Sequence, residues 1–89
     1  MYTQQELASI DRNYFAVIVA DEYDVTLLSL NTRHMWQLHN VELPDGEVTV
    51  IFHKHKASHP YHLHGRSRSL NQAVRGIRKH DKWQMNGRK

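Results

Sequence analysis

The sequence predicts an α+β domain in which an antiparallel sheet is flanked by two helices, in the order α-β-β-β-β-α. Three observations predict it: helix-capping patterns near both ends, apolar–polar alternation through the middle, and turn residues that divide this middle stretch. With 89 residues the chain has room for a single domain, 1–89, with a thin core. Residues 86–89 are expected to fray.

The first helix is predicted over 4–12. Thr3 stands at the N-cap, and Glu6 three residues later completes a capping box. Leu7 and Ile10 then lie on one face. Because so short a helix is marginal by itself, it is expected to pack on the sheet.

Four strands are predicted, with a fifth left as an alternative. Runs of β-branched and aromatic residues place them at 14–20, 24–31, 34–40 and 47–55, and the fifth at 61–64. The strongest turn signal is Pro44-Asp45-Gly46. Alternation predicts these inward sets: Phe15/Val17/Val19, Val25/Leu27, Trp36/Leu38 and Val48/Val50/Phe52. Apolar residues also occupy positions that alternate with these sets, which predicts that both sheet faces are partly covered.

The last helix is predicted over 70–80, after a second capping pattern formed by Ser69 and Gln72. Its apolar residues recur at helical spacing: Leu70, Ala73, Val74 and Ile77. Gly76 is expected to mark a close approach to the sheet, and Trp83 is expected to fold back on the core.

Charge is divided unevenly along the chain. Residues 1–52 carry a net charge of −6 and residues 53–89 a net charge of +9. This division predicts a polyanionic partner for the basic half, unless the two halves neutralise each other. The candidate nucleic-acid contacts are Lys54, Lys56, Arg66, Arg68, Arg75, Arg78, Lys79 and Lys82, with Tyr61 as a base-stacking residue.

Five histidines fall within twelve residues, at positions 53, 55, 59, 62 and 64. On strands, His53 and His55 share one face, and His62 and His64 share another if their segment is extended. Two such pairs on neighbouring strands would place several imidazoles around one zinc ion. The alternative is that these histidines are solvated, so no cofactor is predicted outright.

Several classes of function are not expected from the composition. The chain has no cysteine, which excludes disulfides, thiolate zinc sites and thiol nucleophiles, and favours the cytoplasm. No apolar run is long enough for a membrane span, and the first residues do not resemble a signal peptide. Glycine-rich phosphate loops and nucleophile elbows are missing, so a non-enzymatic protein is expected.

Four segments carry a resemblance to a known group of proteins: MYTQQELASIDRNYF, NTRHMWQLHN, IFHKHKASHPYHLHG and IRKHDKWQMNGRK. Together they resemble small uncharacterised proteins carried by integrative conjugative elements (conjugative transposons) of clostridial-type Gram-positive bacteria. The resemblance implies a bacterial accessory protein of a mobile element. It implies no catalytic residues.

The leading hypothesis from sequence is therefore a non-enzymatic binding module of a mobile element that contacts nucleic acid through its basic half. A second hypothesis is a protein–protein adaptor, either a homodimer or an inhibitor of a host defence complex. A third is a histidine-bound zinc protein. The sequence leaves the oligomeric state open.

Overall fold

The computed structural model describes residues 1–87 and contains one five-stranded antiparallel sheet, in which each strand pairs with the next along the chain. The elements are α1 (Gln4–Ala8), β1 (Phe15–Ala20), β2 (Asp24–Ser29), β3 (Met35–Leu43), β4 (Gly46–Lys54), β5 (His62–Ser67) and α2 (Leu70–Met85). The α+β prediction is confirmed, and the alternative fifth strand is present. Of the tail predicted to fray, residues 88–89 lie outside the described part of the chain.

The first helix is shorter than predicted. Its capping box forms, because the Thr3 hydroxyl accepts from the Glu6 N–H at 3.1 Å and the Glu6 carboxylate accepts from the Thr3 N–H at 2.9 Å. The predicted continuation to residue 12 is wrong. The Asp11 carboxylate accepts the Asn13 N–H at 2.9 Å, and this side-chain turn directs the chain into β1 instead of extending the helix.

The β3–β4 hairpin has a register that reverses the predicted inward set of β4. Leu43 pairs with Gly46 across a two-residue loop, so Trp36 lies opposite His53 and Leu38 lies opposite Ile51. Directly opposed residues share a face of the sheet. The buried residues of β4 are therefore Thr49, Ile51 and His53, and the prediction that Val48, Val50 and Phe52 face the core is wrong.

Strand β1 departs from simple alternation. Its pairing with β2 shifts register between Val17, which lies opposite Leu27, and Val19, which lies opposite Thr26. Such a bulge moves the following residues to the other face. Phe15 is fully buried and Val17 packs against the core, but Val19 is 43% exposed, so its predicted inward position is wrong.

Both helices pack on the same face of the sheet, so they do not supply the partial cover that was predicted for the other face. The core is a single cluster of Tyr2, Leu7, Ile10, Phe15, Val25, Leu27, Trp36, Leu38, Ile51, Leu70, Ala73 and Ile77. Within residues 1–87, the opposite face is covered by neither helix, and its Leu63 side chain is 66% exposed. We call it the open face.

The last helix continues to Met85, five residues beyond its predicted end. Gly76 is exposed, and a Cβ added there would meet no atom within 4 Å, so the predicted close approach is wrong. Trp83 is 45% exposed and is not folded into the core as predicted. Neither helix within residues 1–87 is sufficiently long and apolar to cross a bilayer.

Candidate metal centre

Six imidazoles converge at the end of the sheet where β3 begins and β4 ends. Trp36 pairs with His53, and Met35 pairs with Lys54. The next residues along the two segments, His34 and His55, therefore lie beside each other, and their stacked rings have centroids 4.3 Å apart. Strand β5 contributes the imidazoles of His62 and His64, and α2 contributes that of His80. We call the whole set the histidine cluster: His34, His53, His55, His62, His64 and His80.

His53 is the centre of the histidine cluster and is only 2% exposed. Its ring stacks on Trp36 with centroids 3.9 Å apart and planes 13° apart. Its ring centroid also lies between 4.9 and 5.5 Å from those of the five other members, His34, His55, His62, His64 and His80. Every imidazole of the cluster is therefore close to one buried ring.

Three members bring their ligand atoms close enough to share an ion. One nitrogen from each of His34, His53 and His80 lies within 4.8 Å of the others. His53 Nε2 and His34 Nδ1 are 3.1 Å apart and share a hydrogen bond. We call these three residues the histidine trio. His34 immediately precedes β3, His53 is in β4 and His80 is in α2, so the site forms only when the domain is folded.

His80 Nε2 is the exceptional atom of the trio. It is buried and has no hydrogen-bond partner among residues 1–87. Buried polar atoms in proteins are normally hydrogen-bonded, so an unpartnered one requires an explanation. An unprotonated imidazole nitrogen can donate its lone pair to a metal ion.

Burial keeps the centre of the cluster uncharged. Loss of solvent, followed by the neighbouring imidazoles, lowers the pKa of His53 from 6.5 to about 3. Burial is also the main cause of the lowered pKa of His64, with His80 and His62 contributing. Neutral imidazole is the form that binds metal ions, so these surroundings favour the ligand form near neutral pH.

A bulge in β5 positions the outer part of the cluster. Phe52 pairs with Leu63 and Ile51 pairs with Gly65, which leaves His64 as the extra residue. His64 thereby stays on the core face, with its ring 5.2 Å from that of His80. Together with His55 and His62 it forms the exposed rim above the buried His53.

The sequence-based candidates for metal ligation, His53, His55, His62 and His64, are therefore brought together. Sequence reasoning missed His34 and His80. His34 stands two residues before Trp36 and four before Leu38, so strand alternation places it on their face. His80 stands three residues after Ile77, so helical periodicity places it on the face of Ile77. His59 is exposed in the β4–β5 loop and is not part of the cluster.

Asp81 anchors α2 beside the cluster. Its fully buried carboxylate accepts hydrogen bonds from Ser29 Oγ at 2.6 Å, Tyr14 Oη at 2.8 Å and Thr32 Oγ1 at 3.1 Å. Burial, and then the hydrogen bond to Asp81, raise the pKa of Tyr14. Ser29 Oγ accepts from Trp36 Nε1 at 3.1 Å, so this network also holds the ring on which His53 stacks.

The basic residues predicted to contact nucleic acid divide between separate surfaces. Arg75, Arg78, Lys79 and Lys82 are exposed on α2 and line one open groove. Lys54 and Arg66 lie on the open face, where Arg66 is opposite Val50. Lys54 Nζ lies 4.3 Å from the centre of the Tyr61 ring. Lys56 is exposed in the β4–β5 loop, and Arg68 is exposed between β5 and α2.

Comparisons of the chain with protein-family models, with curated proteins and with solved structures give no match.

Proposed function

We propose that this protein binds one transition-metal ion of the zinc class through the histidine trio. The observation that carries the proposal is the approach of three imidazole nitrogens, from three separate segments of the chain, to within 4.8 Å of one another. The unpartnered Nε2 of His80 supports it, because coordination would give that buried atom a partner.

The donor set favours a borderline or soft ion over a hard one. Imidazole nitrogen suits zinc, copper, nickel and iron, whereas magnesium and calcium require oxygen ligands. At zinc–nitrogen distances of about 2.0–2.1 Å, neighbouring ligands of a tetrahedral site are about 3.3 Å apart. The 3.1 Å between His53 Nε2 and His34 Nδ1 is close to this spacing.

The rim offers a fourth ligand. His64 contacts the rings of His53 and His80, at centroid distances of 5.5 and 5.2 Å. His55 contacts the rings of His53 and His34, at 4.9 and 4.3 Å. Among the described residues, only the trio brings its nitrogens within 4.8 Å of one another, so either rim residue would have to change its rotamer to complete an all-histidine tetrahedral set. Single substitutions of the two distinguish between them.

Metal binding would mainly strengthen the attachment of α2 to the sheet. His80 is the trio's only residue from that helix, while His34 and His53 belong to the sheet end. An ion held by all three would join the helix to two strands. Because the unfolded chain does not hold these residues together, part of the binding free energy would stabilise the fold.

The test is a zinc titration of untagged, chelator-treated protein, followed by competition with a chromophoric zinc indicator. We expect one zinc ion per chain, and at least a 100-fold loss of affinity in His80→Leu. His59→Gln is the matched control, since it removes an exposed histidine outside the cluster. Wild-type affinity in His80→Leu, or an equal loss in both variants, would overturn the proposal.

A further inference from the structure

The side of α2 that faces away from the sheet carries a row of cations. Arg75, Lys79 and Lys82 are exposed and stand at positions i, i+4 and i+7, which lie on one helical face. At 1.5 Å per residue this row extends about 10 Å along the helix. We call it the α2 cation row.

None of the described residues that line the groove around the α2 cation row is acidic. Apart from the cations, it is lined by Tyr14, Asn31, Ser67, Gln72, Gly76 and Met85. The one carboxylate of α2, Asp81, is fully buried and accepts a hydrogen bond from the Tyr14 hydroxyl, so it is not exposed in the groove. The three cations form no ion pair with any described residue, so their charge is available to a ligand.

Arg78 has a different role in the same groove. Its guanidinium lies 4.4 Å from the centre of the Tyr14 ring and 3.9 Å from the Asp11 carboxylate. These contacts fix Arg78 at the edge of the groove and partly neutralise it. The three cations of the row therefore supply most of the positive charge there.

We propose that the α2 cation row binds the phosphate backbone of a nucleic acid. The chemical argument is charge complementarity: a regularly spaced row of unpaired cations, with neutral hydrogen-bonding side chains beside it, fits a regular row of phosphates. The exposed glycine at position 76 also leaves room for close approach to the helix backbone. No histidine within residues 1–87 lines the groove, so this proposal is independent of metal binding.

The division of basic residues supplies a matched control. Lys79→Gln/Lys82→Gln removes two charges from the α2 cation row. Lys54→Gln/Arg66→Gln removes two charges from the open face, on the other side of the sheet. Both double variants lower the net charge from +3 to +1, so a difference between them reports on position and not on total charge.

The experiment measures fluorescence anisotropy of labelled duplex DNA, duplex RNA and single-stranded oligonucleotides, with each protein at salt concentrations from about 50 to 200 mM. Three phosphate contacts on duplex DNA give a slope of log affinity against log salt near −2.7. We expect the α2 double variant to reduce that slope by about two contacts, and the open-face variant to retain it. Circular dichroism verifies that both variants fold.

Three results would overturn the proposal: no binding of any nucleic acid at about 50 mM salt, equal losses in the two double variants, or equally tight binding of polyglutamate. The last result would assign the row to acidic proteins. Preference for one nucleic acid over the others would identify the form that the groove accepts.

Discussion

His80 and Asp81 are neighbours in α2, and both bring a polar group beneath the helix, but the two groups have opposite hydrogen-bonding states. The Asp81 carboxylate accepts three hydroxyl hydrogen bonds, whereas His80 Nε2 has no partner among residues 1–87. A buried network in which every polar group is hydrogen-bonded stabilises the fold. A buried polar atom with no hydrogen-bond partner, close to other potential metal ligands, indicates a binding site. We therefore infer that Asp81 stabilises the domain and that His80 serves metal binding.

The largest expected effect is the loss of Asp81. Asp81→Ala leaves the buried hydroxyl of Ser29 and the part-buried hydroxyls of Tyr14 and Thr32 without this acceptor, and a buried donor left unpaired costs about 1–3 kcal/mol. We expect the free energy of unfolding to fall by about 3 kcal/mol or more in urea denaturation. Asp81→Asn keeps an acceptor oxygen and should lose less. A change below about 0.5 kcal/mol in both variants would contradict the anchoring role.

His80 should behave in the opposite way. Metal-free His80→Leu should unfold within about 1 kcal/mol of wild type, because the substitution removes an unpartnered buried atom. With free zinc at 100 times the wild-type dissociation constant, wild type should gain about 2.7 kcal/mol and His80→Leu at most about 0.4 kcal/mol. Thermal denaturation with zinc and with a chelator measures both quantities. Equal zinc stabilisation of the two proteins would show that His80 is not a ligand.

Acidification should weaken the metal-free fold through His53. Its pKa is about 3 in the folded protein, so below pH 6.5 the unfolded chain binds the proton first. Stability should therefore be flat above pH 7 and fall towards pH 4, by at most about 1.4 kcal/mol per pH unit for one proton. Urea denaturation at several pH values measures the slope, which His53→Phe should reduce. An unchanged slope in that variant would assign the acid sensitivity to other groups.

The smallest effect concerns the solvent side of the same helix. Gly76→Ala should raise the free energy of unfolding by about 0.5–1 kcal/mol, because alanine is the better helix former and the added Cβ meets no atom within 4 Å. Zinc affinity should not change. Destabilisation in the same urea assay would show that the helix has less space at this position than the structure indicates.

The sequence was sufficient to predict the α+β class, the final helix and the position of the β3–β4 turn. The register of this hairpin follows from the turn and not from the hydrophobicity of β4. A two-residue loop at Pro44 and Asp45 pairs Leu43 with Gly46, and that pairing alone sends His53 to the core face. By hydrophobicity alone, Val48, Val50 and Phe52 are the more apolar alternate set of β4 and are therefore expected on the core face. Turn geometry determines register more strictly than the hydrophobicity of a single strand.

The rest of the candidate site depends on tertiary contacts. His80 reaches the cluster only because α2 crosses the core face and continues past residue 80, and no local pattern indicates where a helix crosses a sheet. The bulge that leaves His64 on the core face adds one residue to β5, which alternation cannot predict. The local pairs of histidines were predictable, whereas their convergence on His53 was not.

The most direct test of the metal site is elemental analysis of untagged wild-type protein, purified without a metal resin and compared with the triple variant His34→Gln/His53→Gln/His80→Gln. We expect about one transition-metal ion per wild-type chain and almost none in the variant. Circular dichroism of the variant separates loss of ligands from loss of fold, and His80→Leu replaces it if it does not fold. Wild-type protein is also given excess zinc and then dialysed. A metal content far below one ion per chain after this treatment would contradict the proposed metal site.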